Sequence, residues 1–484
     1  MRGLLSLARP LELRRAMLTD PTANRTTDSI LPPELAAILA DRPTVMSDDL
    51  PTATAASAGG PPPAPWPSDL PQPPPEPATL EEAGLTEGMV EALLLKTLLQ
   101  QSAAPGAKLA QQSCLSRRIV GDALSRFRDD LLVTIKGQAD GNDYVFQLTE
   151  AGHTRAKQYA DHANYADAAP VPLAAYAKAI RRQAVGQTRV GVNELRTAFG
   201  DLEIADDMLS LIAQAVSDGR GLFLYGYPGN GKTTIAEHLC GAFGKHLWIP
   251  RAVCDGADIL RLYDASCHEA IDHPALATAR YDRRWILIKR PTVVVGGELT
   301  LEQMDPSYHP ASGVSEAPVQ MKANGGALVI DDFGRQRVSS DELLNRLIVP
   351  LEKQYDYLSL ASGRQARIPF EMLFVLSTNL EPRELVDEAF LRRIPYKVEV
   401  VDPTERQFHQ LLTMYAAKLG VQLAPRIGDW LLAEHFHLAD RKLRFCHPRD
   451  LLRQAKNYCT VHGRPPVADE ESLGVAVKNY FAGL

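Results

Sequence analysis

Leu222-Phe223-Leu224-Tyr225-Gly226-Tyr227-Pro228-Gly229-Asn230-Gly231-Lys232-Thr233-Thr234 is the stretch that decides the fold. Its first four residues read as a short buried strand, and Thr233 to Phe243 read as a helix. Between them, Gly226, four variable residues, Gly231, Lys232 and Thr233 satisfy the phosphate-loop pattern. Glycines let backbone N–H groups curl around phosphates, and the helix N-terminus adds a favourable dipole. Lys232 is expected to reach the β- and γ-phosphates of ATP, and the Thr233 hydroxyl to ligate Mg²⁺. Gly226, Tyr227, Pro228, Gly229, Asn230, Gly231, Lys232, Thr233 and Thr234 would form the cradle. The bland alternative is a glycine-rich turn before a helix, and the strand and helix on either side weigh against it.

Two further strands point the same way. Ala327-Leu328-Val329-Ile330 runs into Asp331-Asp332, the pattern of a buried parallel strand delivering acids at its C-terminal end, where ligands of open α/β sheets bind. Asp331 is expected to hold Mg²⁺, mostly through water, and Asp332 to orient and deprotonate an attacking water. Met372 to Thr378 is another apolar strand, ending in Asn379, which could bond the γ-phosphate or position the water. The histidines, including His268, His273, His309, His435, His437 and His447, lack metal-ligand spacing, so Mg²⁺ is the one metal expected.

Composition bounds the partners. A net charge of −7 argues against a globally basic, nonspecific nucleic-acid binder, while leaving room for a local basic patch. The six cysteines are scattered without a CxxC pair, which suits reduced thiols in a cytoplasmic protein. No apolar run approaches the ~20 residues of a membrane span, and Pro10 and Glu12 break up a start whose apolar stretch is too short for a signal peptide.

Along the chain, residues 1–78 read as a disordered N-terminal segment and linker, with Pro61-Pro62-Pro63 and Pro73-Pro74-Pro75 inside a stretch too poor in apolar residues to fold. Met46 would serve as a start, leaving the first 45 residues outside the natural protein. Residues 79–160 hold helices over Leu80–Gln101, Ala107–Gln112 and Ser116–Phe127. A hairpin of Leu131–Ile135 and Tyr144–Leu148 about an Asp140-Gly141-Asn142 turn follows. Such an order resembles a winged helix, with Arg117, Arg118, Arg126 and Arg128 available for DNA and enough acids nearby to suit a protein-interaction module instead. Residues 161–198 connect through one helix near Leu173–Arg182, 199–401 form the nucleotide-binding core, and 402–484 a helical lid. Tyr357–Leu360 and Arg367–Phe370 read as a hairpin before the Met372 strand. The block Trp285–Gln320 is either an insertion facing a pore or a surface elaboration.

In this order the motifs resemble AAA+ ATPases. That resemblance implies a parallel sheet ordered 5-1-4-3-2 with a C-terminal helical lid, and Asn379 in the sensor-1 position. Asp387-Glu388-Ala389-Phe390-Leu391-Arg392-Arg393-Ile394 looks like the segment ending in the arginine finger, which implies Arg393, with Arg392 second, reaching a neighbouring subunit's nucleotide. Cys446-His447-Pro448-Arg449-Asp450 resembles the start of the sensor-2 helix and implies that Arg449 contacts phosphate. A homo-oligomeric ring, most often a hexamer, and a protein client follow from the same resemblance. From about Pro170 onward the chain is similar to bacterial AAA+ ATPases described as chaperones associated with Flp (tight-adherence) pilus assembly. Val293–Thr300, Lys322–Gly326, Ile330–Arg337 and Leu344–Glu352 carry this likeness. The Asp331-Asp332-Phe333-Gly334 segment also resembles helicase loaders and transposition helpers, so a DNA-acting ATPase is the second expectation. One departure stands out: the second acid, usually Glu, is Asp332, one methylene shorter.

Overall fold

The computed structural model describes residues 66–482 except 142, 185–189, 201–203 and 386–387. The expectations for residues 1–65, including the Met46 start, and for Asn142 and Asp387 fall outside the described residues.

Apolar runs too short for helices pair instead as strands. Leu222–Tyr225 (β1), Thr292–Val295 (β2), Ala327–Ile330 (β3), Leu373–Thr378 (β4) and Tyr396–Glu399 (β5) form one sheet, ordered β2-β3-β4-β1-β5 and parallel throughout. Read from the other edge this is 5-1-4-3-2, the AAA+ order. All four residues of β3 and all six of β4 are buried, because helices cover both faces of a parallel sheet. One face packs Leu222, Leu224, Val329 and Val375 against the helices Asp206–Asp218 and Lys232–Leu239. The other packs Phe223, Leu328, Ile330 and Phe374 against Ser340–Lys353. The register sets Val329 beside Val294 and Val375, so β2 and β3 end level with one another, while β4 runs two residues further and ends with Thr378 beside Tyr225 of β1.

A second, mixed sheet lies beside the first, built of Ser307–His309, Val314–Glu316, Asp258–Arg261, Ala252–Asp255 and Val171–Pro172, in that order. His246–Pro250 pairs antiparallel with Trp285–Lys289. The Trp285–Gln320 block is therefore not one insertion. Its second apolar run is β2, the edge strand of the core, and only the segments on either side of it elaborate the second layer. The expected hairpin is present as Tyr355–Ser359 and Gln365–Pro369. Leu358 and Ile368 bury themselves beside Tyr176 and Ile180 of the helix Leu173–Arg182. At its tip, Ser362 donates from N and Oγ to Asp258 (3.1 and 2.6 Å), so the turn is pinned to the second sheet.

The connecting region is more than one helix. Besides Leu173–Arg182 it contributes the Val171–Pro172 strand, and a further helix, Val192–Phe199, whose Leu195 and Phe199 join the core cluster.

In the N-terminal unit, the expected first helix is broken. Leu80–Ala83 ends at Gly84 in the left-handed region (φ 65°), and Glu87–Gln101 follows. Helices Gly106–Ser113 and Arg117–Asp129 come next, the second capped by Ser116. A three-stranded sheet joins Val133–Ala139 and Asp143–Leu148 to a short strand, Ala103–Pro105, that the sequence did not suggest. Lys96, out of place on an apolar face, is buried and donates to the Ala163 carbonyl at 2.7 Å; desolvation lowers its pKa to about 8. The unit shares its buried cluster with Ala252 and Val314 of the second sheet, and Arg284 adds a polar tie. Its guanidinium, 4 % exposed, binds Asp282 through two nitrogens and donates to the carbonyls of Ala83 (2.8 Å) and Pro170 (3.3 Å).

Residues 66–78, assigned from composition to a disordered linker, turn at 68–70, where Leu70 N donates to the Pro67 carbonyl at 3.3 Å, then run on without regular hydrogen bonding, and they are not free. Leu70 is buried against Trp248 and Trp285, the Trp248 indole donates to the Pro71 carbonyl at 3.0 Å, and Asp282 N donates to the Pro74 carbonyl at 2.9 Å. Aromatic partners on the folded domain supply the apolar contact that the segment could not make with itself.

The lid is a helical bundle of Glu405–Leu419, Ile427–Leu431 continuing into a π-helical turn to His437, His447–Val461 and Glu470–Tyr480. Phe408, Leu431, Phe436, Leu451 and Leu473 fill its core. No helix among the described residues is long and apolar enough to cross a membrane.

Candidate nucleotide-binding site

β1 ends at Tyr225, the helix starts at Lys232, and the loop between them must turn within six residues. Gly226 and Gly229 make that possible. Gly226 has φ 131°, and a Cβ there would stand 2.6 Å from the Val400 carbonyl; Gly229 has φ 83°, and a Cβ there would stand 2.6 Å from Cys446 Sγ of the lid. Side-chain-free backbone thus lets β5 and the lid approach the loop closely.

Around this loop the structure gathers the expected residues from four elements. Thr233 Oγ1 donates to Asp331 Oδ2 at 2.7 Å, so the two oxygens expected to share Mg²⁺ already face each other. Lys232 Nζ donates to the carbonyls of Gly226 (2.9 Å) and Tyr227 (3.0 Å) and to Asn379 Oδ1 (2.7 Å). All three ammonium donors are engaged, and a phosphate would replace neutral acceptors with anionic ones. Asn379 Nδ2 in turn donates to Asp332 Oδ1 at 3.1 Å. Burial lowers the Lys232 pKa, Asp331 and Asp332 oppose that shift, and Arg444 adds to it. Asp332 adopts φ 48°, a region that Asp tolerates better than most residues, while its N–H donates to Asp331 Oδ1 at 3.0 Å. That turn, rather than side-chain length, brings the shorter carboxylate within reach of Asn379.

These groups line a cavity of about 730 Å³ between core and lid, in the range of small-molecule sites. Ile204, Ala205, Met208, Leu411 and Tyr415 give it an apolar end, suited to a base, opposite the polar end at the loop. Arg449 lines it from the lid, where an ion pair with Asp450 (2.8 Å) raises its pKa. Another cleft, of about 950 Å³, holds Glu237, Lys245, Lys289 and Arg290 but none of the loop glycines or the paired acids. Its Arg290 is taken up by the carbonyls of Phe243, Gly244, Gln183 and Gly325.

Arg393 does not line its own chain's cavity. It sits ahead of β5, its Nε and Nη2 each 2.7 Å from Glu352 Oε1 on the Ser340–Lys353 helix, and Arg392 beside it is exposed. No group of three or more His, Cys, Asp or Glu side chains among the described residues could by itself hold a metal ion. A hydroxyl and one carboxylate, as at Thr233 and Asp331, suit a Mg²⁺ that also takes phosphate and water oxygens.

The sequence reading missed the latch at the cavity mouth. Asn230 Nδ2 donates to Asp402 Oδ1 at 2.7 Å, and Asp402 is ion-paired with Arg444 of the lid. The Arg444 guanidinium lies 4.3 Å from the Tyr227 ring centroid, and Cys446 N donates to the Gly229 carbonyl at 3.0 Å. An arginine a turn ahead of the sensor-2-like helix, and an acid three residues past the end of β5, were the available signals.

A family model described as a domain of unknown function (DUF8689) matches residues 404–479, the lid. No curated protein matches the chain. Among solved structures, NtrX from Brucella abortus is similar over 60% of this chain and 58% of its own, at 14% identity and a TM-score of 0.38. The Thermotoga maritima RuvB Holliday junction branch migration motor is similar over 62% and 72%, at 13% identity and a TM-score of 0.33. This chain thus spans less than two thirds of the NtrX chain.

Proposed function

We propose that this chain binds ATP with Mg²⁺ and hydrolyses it as one subunit of a homo-oligomeric ring, using lid movement to remodel a protein assembly. The observation that supports the ATPase part best is the unbroken polar line from Lys232 through Asn379 to Asp332, alongside the Thr233–Asp331 contact. Mg²⁺, when bound, neutralises phosphate charge. The loop N–H groups and Lys232 grip the phosphates, Asn379 orients the water and Asp332 accepts its proton. Arg449 approaches from the lid. Arg393, outside its own cavity, suits a role in a neighbour's site, where it would exchange Glu352 for phosphate.

The client follows from resemblance: a pilus or secretion assembly. A second reading, action on DNA, is favoured by the helix, strand, helix, helix, hairpin order of the N-terminal unit, which suits a winged helix. Exposed Arg117, Arg118, Arg128 and Lys136 support it too. Asp122, Asp129 and Asp130 on the same helix and its end set it second. Lys232→Ala should abolish nucleotide binding, and Asp332→Asn should retain ATP without releasing phosphate; normal turnover by Asp332→Asn refutes the assignment of the base. Pulldown with that trap identifies the client, and salt-sensitive DNA stimulation of the ATPase reverses the order of the two readings.

A further inference from the structure

Pro71-Gln72-Pro73-Pro74-Pro75-Glu76-Pro77 lies along the folded domain with a repeat of three. Pro71, Pro74 and the intervening Pro73 are half-buried and Pro77 is buried, while Gln72, Pro75, Glu76 and Ala78 are exposed. The two carbonyls that accept hydrogen bonds from the domain, those of Pro71 and Pro74, keep the same spacing. Three residues per turn is the period of a polyproline helix, which has no internal hydrogen bonds and must find its partners outside itself. The partners here are an indole N–H, from Trp248, and the backbone N–H of Asp282. Directly ahead of the segment, Leu70 is a buried anchor in the cluster of Trp248, Trp285 and Leu287, with Tyr281 packed against it. Trp248 is itself fixed: Gln183 accepts from its backbone N–H (2.8 Å) and donates to its carbonyl (3.0 Å), and its ring centroid lies 5.2 Å from that of Tyr281. An aromatic floor with an indole donor facing a Pro-x-x-Pro carbonyl is the chemistry that recognises polyproline segments.

We propose that the Trp248–Trp285–Tyr281 groove is a recognition site for Pro-x-x-Pro-x-x-Pro segments, filled in this chain by its own residues 71–77. The site belongs to the groove, and covalent linkage only raises the local concentration of its occupant. Freed from the groove, the strap leaves it open to the same sequence supplied as a separate peptide.

The test uses the full chain carrying Leu70→Asp and Pro77→Asp, which unseat the strap without touching the groove. A fluorescein-labelled peptide of residues 66–78 should bind this variant, by anisotropy, at least about tenfold more tightly than it binds the unaltered chain, whose groove faces a tethered competitor. The same peptide with Pro71, Pro74 and Pro77 all changed to Ala should lose about tenfold or more, because the preformed extended helix is what keeps the ordering cost low. Should the acidic variant fail to fold, Pro71→Gly/Pro74→Gly/Pro77→Gly, which loosens the strap through the entropy of its free form, replaces it with the same expected ranking. A folded variant that does not take up the peptide overturns the proposal. Equal binding of the alanine peptide also overturns it, since that outcome makes Leu70 packing, rather than the proline register, the source of affinity.

Discussion

The contact between lid and phosphate loop can be measured by adding one methyl group at two glycines. Gly229 and Gly231 share nearly the same backbone, φ 83° and 82°, but not the same surroundings. A Cβ at Gly231 meets nothing within 4 Å, so Gly231→Ala bears only the left-handed conformation, about 1–2 kcal/mol. A Cβ at Gly229 stands 2.6 Å from Cys446 Sγ, well inside ordinary contact, and overpacking of this kind adds about 1–3 kcal/mol. Gly229→Ala should therefore lose about 2–5 kcal/mol against about 1–2 for Gly231→Ala. The other atoms near that Cβ, Cys446 Cβ at 3.6 Å and Arg444 Cβ at 3.8 Å, make no clash. In a Cys446→Ala background the penalty at 229 should accordingly fall to that at 231. Urea unfolding without nucleotide, comparing midpoints at constant slope, reads these differences. Equal penalties at 229 and 231 in the unaltered chain, or no relief from Cys446→Ala, would refute the seating of the lid on the loop.

Acid should loosen the same contact. His447 is buried at the start of a lid helix, its Nδ1 accepts from Arg444 N at 3.1 Å, and burial, then Arg444, hold its pKa down at about 4 against 6.5, with Asp450 and Asp402 opposing. The unfolded chain takes the proton first, so stability is full above about pH 6.5 and declines as pH falls toward 4; thermal melts should show that slope, and His447→Gln should flatten it. Arg393→Ala should bind ATP but not turn it over, and mixing it with Lys232→Ala subunits should restore phosphate release if the arginine acts across the interface; no recovery in mixed assemblies counts against it. Arg346→Ala should destabilise the core by about 3–5 kcal/mol, because Asp356, 3 % exposed, loses a two-nitrogen partner at 2.6 and 2.9 Å. Asp356→Asn added to it should recover part of that loss in the same unfolding assay.

What could be read from residues alone followed the locality of the signal. The phosphate loop, the strand into Asp331 and the strand into Asn379 are contiguous, and sheet order followed from the resemblance they carry. The second sheet was illegible because it joins strands of two to four residues drawn from positions 171 to 316. None is long enough for alternation to show. Val293 to Val295 illustrates the same difficulty from the other side: an apolar run says strand, but not which sheet. Lys96 looked like a flaw in a helix face until Ala163 supplied its acceptor. The latch of Asn230, Asp402 and Arg444 joins residues far apart in sequence, and the places of Asp402 and Arg444 beside β5 and the lid helix do not say which partner each takes. Proline content in 66–78 gave no sign of the aromatic partners that Leu70 and the Pro71 carbonyl meet on the folded domain.

Arg284 gives the N-terminal unit a firm mounting. Because one shielded guanidinium grips the backbone at Ala83 and at Pro170 while anchored to Asp282, the helices of residues 79–162 are geared to the second layer instead of trailing from it. If nucleotide drives movement as proposed above, those helices would travel with the second layer, whose Ala252 and Val314 share their buried cluster, so that whatever they hold would be carried along and not left slack.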